Sequence, residues 1–133
     1  MNINHTVLSL SLLLLPGLAF ADGAKGVSFL SPQDGAEVTS PVKFQMSASG
    51  MEVRPAGEVV ASTGHHHILF DRGCVPEGQI IGMDEGVHHF GKGQTEAEFP
   101  LAEGTHTVSL QFANGAHISY GPAMCTTITI RVK

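Results

Sequence analysis

The sequence contains no tryptophan, a single tyrosine, two cysteines, and seven lysines and arginines against twelve acids. Each shortage excludes something. Two cysteines without CxxC spacing do not encode the cysteine-rich tetrahedra of structural zinc sites. Few bases and a net charge of −5 argue against a nucleic-acid partner, which needs clustered Lys and Arg to release counterions. Neither HExxH nor GxSxG is present, so no zinc-protease helix and no nucleophile elbow is encoded. No acidic loop offers the carboxylate oxygens that calcium or magnesium requires. Helical periodicity, internal repeats and low-complexity tails are also missing beyond the first twenty residues.

The N-terminus is different. Val7 to Leu18 is nearly all apolar, Pro16-Gly17 breaks it, and Ala19-Phe20-Ala21 follows the small-x-small rule for signal-peptidase cleavage. The run is shorter than the roughly 20 residues a bilayer span needs, and no later stretch is apolar enough for one. Residues 1–21 are therefore expected to be a cleaved signal, although no Lys or Arg precedes the run. Residues 22–133 would form one domain in the periplasm or outside the cell, large enough to bury its own core. In that oxidising location Cys74 and Cys125 are expected to form a disulfide, contributing about 4 kcal/mol by loop entropy. The alternative, a pair of soft metal thiolates, lacks the spacing to support it.

The rest of the chain reads as β. Val27–Leu30 is a short strand stopped by Ser31-Pro32, and Val42, Phe44 and Met46 alternate with Lys43, Gln45 and Ser47. Glu58–Ala61 is expected as a short edge strand and His65–Asp71 as a strong one. Residues 72–95 hold no convincing long element, which in a compact domain marks a functional loop or a small hairpin. Glu96–Leu101, Thr105–Phe112 and Thr126–Val132 complete the set, with Asn114-Gly115 as a turn dipeptide. About seven strands separated by turn signals predict an all-β, immunoglobulin-like sandwich, without the buried tryptophan of antibody domains.

Histidine is what the sequence has in excess. Seven of the eight lie after the signal: His65-His66-His67, His88-His89, His106 and His117. A strand splits the triplet, with His66 on the face of Ile68 and Phe70, and His65 and His67 on the other. Side chains at i and i+2 point the same way, roughly 7 Å apart at the backbone, a spacing at which two imidazoles can close on one ion. Any single histidine is more often a packed or solvated residue than a ligand. Four groups of them in one small domain need a common reason. His89, in a glycine-flanked loop, and His117, after a turn at one end of the sandwich, are the expected partners of His65 and His67. His66 and His106 are ligands or supports of second rank, and Met83 and Met124 are possible thioether donors.

Imidazoles suit copper, zinc, nickel and iron, and the Irving–Williams order places Cu(II) first. The leading expectation is thus a periplasmic protein that binds or delivers copper, with zinc as the alternative and a metal-accepting periplasmic or membrane protein as a conceivable partner. A non-catalytic module with pH-sensitive histidines is the second reading. A small metal enzyme is the third, needing an open coordination position and a base such as Asp71, Asp84 or Glu85.

Four stretches occur in order: Ala36-Glu37-Val38-Thr39-Ser40-Pro41, Thr63-Gly64-His65-His66-His67-Ile68-Leu69, His89-Phe90-Gly91-Lys92-Gly93-Gln94-Thr95-Glu96 and Gly104-Thr105-His106-Thr107. In them the chain resembles an exported bacterial family, domain of unknown function 4399. The resemblance implies export and a compact β domain, and places His65 to His67, His89, His106 and His117 at motif positions. It does not supply an activity. Val87 stands where the family often has His, so His88 is not a motif histidine. Cys125 stands where Ser is frequent, which implies that the disulfide is local to this protein.

Overall fold

The computed structural model describes residues 24–133, so the expected signal over residues 1–21 lies outside the described residues. Nine strands make up the described chain: β1 (Gly26–Ser31), β2 (Glu37–Val38), β3 (Val42–Ser49), β4 (Glu52–Val53), β5 (Thr63–Phe70), β6 (Val87–His89), β7 (Glu96–Phe99), β8 (Gly104–Ala113) and β9 (Cys125–Val132). Only a 3-10 turn over Pro122–Met124 interrupts the β character. Among the described residues no helix is long and apolar enough to cross a membrane.

The strands form two sheets. One has the order β1-β3-β7; the other runs β2-β9-β8-β5, with β4 and β6 sharing the far edge of β5. Alternation in β3 sends Val42, Phe44 and Met46 inward, where they meet Ile68, Val108, Leu110, Ile128 and Ile130 of the larger sheet. Phe29, Phe70 and Phe99 surround Phe44 with ring centroids 5.6–6.1 Å away, in the tilted and edge-on geometries aromatic quadrupoles favour. Burying each such ring contributes about 1.5–3 kcal/mol. The sandwich expected from the sequence is the observed architecture.

Two local expectations are corrected. Glu58–Ala61 is not a strand; the edge position beside β5 is taken by Glu52–Val53, while residues 57–58 brace a turn described below. The count rises to nine because three pairings are only two or three residues long, too short for period-2 patterning to reveal.

The strand that matters most is β5. In an antiparallel sheet one face commonly meets water, yet Thr63 to Leu69 are all buried. The second cover comes from residues 74–83, which cross the outer face and bury Ile81 against Leu69, Val87 and Ala113, with Val75 alongside. Gln111, fully buried, fastens this cover: its Oε1 accepts from Val75 N at 3.0 Å, and its Nε2 donates to the Gly121 and Met124 carbonyls. Pairing of residues 78–81 with 117–119 extends the attachment, and the Cys74–Cys125 disulfide ties its start to β9.

Candidate metal centre

Register decides which histidines meet. His65 and His67 point to the outer face of β5, opposite Ala113 and Gln111 of β8. His67 also pairs with His89 on β6, which places the His89 side chain on the same face. The fourth ring arrives from a turn. Asn114 Oδ1 accepts from the backbone N–H groups of Ala116 and Ile118, and His117 N donates to the Asn114 carbonyl at 2.9 Å. This turn leaves His117 in the left-handed region at φ 65°, a conformation that costs most residues 1–2 kcal/mol or so but in which histidine is enriched. Gly115 is required here, because a Cβ would stand 2.2 Å from the Glu58 carbonyl oxygen.

The result is a group of rings. Centroids are 4.6 Å apart for His65–His67, 4.8 Å for His65–His117 and 5.6 Å for His67–His117. One ring nitrogen from each of these three lies within 4.8 Å of the others, so the cluster can hold a metal ion. An ion bound tetrahedrally at 2.0–2.1 Å would draw the nitrogens to about 3.4 Å, leaving at most about 1.4 Å of closure for side-chain rotation. His89 stands next in line, 5.2 Å from His117 and 6.1–6.2 Å from the strand pair. Its Nε2 would be 3.1 Å from a Cβ at Gly91, so the glycine makes room for the ring.

Burial gives these rings their chemistry. His65, His66 and His67 are fully covered, and none of their six ring nitrogens has a protein hydrogen-bond partner. A buried polar group left unpaired costs about 1–3 kcal/mol. Burial foremost, then His117 and His89, lowers the pKa of His65 to about 4. His66 falls to about 4 through burial and then His65. His67 falls to about 3 through burial and then His65, His89 and His117; the Gln111 backbone acts the other way without reaching hydrogen-bond geometry. His89 is lowered by burial and by His117. Near neutral pH His65, His66 and His67 are therefore uncharged, the form whose nitrogen lone pair binds metals.

The other candidates are placed elsewhere. His66 turns to the sandwich interior, edge-on to Phe112 at 5.0 Å. His88, beside His89 on β6, points to the opposite face, exposed and against Phe99 at 4.5 Å. His106 lies five residues before Gln111 on β8, about 17 Å along the strand. Its Nε2 is 2.7 Å from the Ala102 carbonyl and its Nδ1 3.7 Å from Asp71, so both nitrogens have protein neighbours. Met124 is buried in the 3-10 turn and lines no part of the cleft at the cluster. Met83 does line that cleft, 66% exposed. Of the acids considered as bases, Asp71 turns to His106, Asp84 to Arg72 at 3.4 Å, and Glu85 is exposed.

Sequence reasoning read Asn114-Gly115 as the turn before His117 but missed Gln111 and the apolar pair Ile80 and Ile81. A lone glutamine among the apolar residues of β8 was the available signal for Gln111.

Fold and site together define a small all-β sandwich with a three-histidine group able to hold a metal ion, roofed by a disulfide-anchored segment. Residues 42–133, which include the whole cluster, match the family model described as Domain of unknown function (DUF4399). The chain belongs to that family. No curated protein and no solved structure gives a match.

Proposed function

We propose that this protein is an exported metal-binding protein whose centre is His65, His67 and His117, with His89 at its mouth as a fourth donor. The observation that carries this reading is a set of buried neutral imidazoles whose nitrogens find no protein partner. A metal ion would take one nitrogen from each of His65 and His67 and so offset part of the cost of burying these rings.

Copper is the first ion and zinc the second. Neutral imidazoles place Cu(II) highest in the divalent series, and the Met83 thioether at the cleft rim would favour the softer Cu(I). In an exported protein such a centre would serve storage, or delivery to a metal-accepting periplasmic or membrane protein. The alternative, a pH-responsive module, is disfavoured by the burial that moves the charging of His65 and His67 to about pH 3–4, below the 5–8 range such switches use.

The test is a thermal melt of metal-stripped protein with stoichiometric Cu(II), Cu(I) or Zn(II). An ion present at about a hundred times its dissociation constant adds roughly 2.7 kcal/mol, a rise on the order of 10 °C for a domain of this size. The rise should vanish in His65→Ala/His67→Ala and persist in His106→Ala. No rise with any ion would end the metal reading.

A further inference from the structure

The metal cluster opens beside a cleft of about 360 Å³ walled by Ile80, Ile81, Met83, Ala116, His89 and His117. Ile80 and Met83 are 72% and 66% exposed, two of the four large hydrophobic side chains that the described residues leave so open. Apolar walls with a few convergent polar groups, at this volume, are what small-molecule sites present.

Charge says what kind of molecule. The centre would supply imidazoles and no anion: the group that could hold the ion is His65, His67 and His117, and no Asp or Glu lines the cleft. Asp84, which follows Met83 closely in the chain, turns instead to Arg72. A divalent ion held there keeps its full charge next to apolar walls, and an outside carboxylate would join His65, His67 and His117 in place of the more distant His89. An inorganic anion would answer the charge but leave Ile80 and Met83 in water.

We propose that the cleft binds a small organic carboxylate with a compact hydrocarbon body, its carboxylate on the metal and its apolar part against Ile80, Ile81 and Met83. This rests on the metal reading above. It makes the holoprotein a receptor for metal–carboxylate pairs.

The experiment uses the Co(II)-loaded protein, whose visible bands report the ligands around the ion, titrated with phenylacetate, acetate and benzyl alcohol. Phenylacetate should shift the bands at concentrations about tenfold lower than acetate, because only it also covers the apolar walls. Benzyl alcohol should leave the bands unchanged. Ile80→Ala and Met83→Ala, at exposed positions the fold does not depend on, should narrow the phenylacetate advantage to less than about threefold. Equal binding of phenylacetate and acetate by the Co(II) protein would overturn the proposal while leaving the metal centre intact. So would phenylacetate binding as tightly, by calorimetry, to metal-free protein. Absence of Co(II) bands altogether would remove the metal centre and this proposal with it.

Discussion

Acidifying the metal-free protein from pH 7.5 to 5.0 should remove several kcal/mol of its stability, and the buried histidines are the reason. An unfolded histidine takes up its proton near pH 6.5, whereas folded His66 and His67 wait until about pH 4 and about pH 3. Below pH 6.5 the unfolded chain thus binds more protons than the folded one, and stability falls with pH at up to about 1.4 kcal/mol per unit for each ring. The contribution is fully present above pH 6.5 and fades as pH drops, levelling off only when the folded rings also charge. By pH 5.0 His66 and His67 should each have lost about 2 kcal/mol, together about 4. His65, covered but set less deeply, adds a smaller share. Against a typical total of 5–15 kcal/mol this brings the protein toward its acid transition. Urea unfolding at pH 7.5, 6.5, 5.5 and 5.0 in a chelator measures the slope, and His67→Gln should flatten it by about a third to a half. A wild-type free energy constant within about 1 kcal/mol over that range would refute the picture, since it requires rings that protonate as readily in the fold as outside it.

Two further perturbations probe the supports of the cluster. Gly115→Ala forces a Cβ onto the Glu58 carbonyl 2.2 Å away and must move the turn that carries His117; metal affinity, measured by competition with a chelator, should weaken about tenfold or more. Gly73→Ala, which meets nothing within 4 Å, is the control and should leave affinity unchanged. Cys74→Ser/Cys125→Ser opens a link spanning 51 residues and should cost about 4 kcal/mol in urea unfolding, with the cover over residues 74–83 becoming the first site of limited proteolysis.

Much of the sandwich was readable because its causes are local. Val42, Phe44 and Met46 alternate with polar neighbours, and β3 follows directly from that period. Thr63 to Phe70 was also recognisable as a strand, and the split of its histidines between two faces needs only the two-residue repeat. The two-residue strands β2 and β4 were not readable, since they exist only where an edge of the larger sheet offers a parallel partner. Glu58–Ala61 carries β-favouring valines, but residues 57–58 are held by the turn around Gly115.

The sequence by itself determined the composition of the centre: histidines grouped at i and i+2, no carboxylate motif beside them, and two cysteines to close a loop. Which histidines converge was decided by tertiary structure. Antiparallel register sets His89 opposite His67, and the left-handed turn after Asn114 aims His117 back at both strand histidines. Burial was decided there too, since the outer face of β5 is dry only because residues 74–83 return over it and Gln111 holds them. A histidine's identity is written in one residue. Its pKa and its free nitrogens are set by neighbours tens of residues away, and those follow from packing that no local pattern encodes.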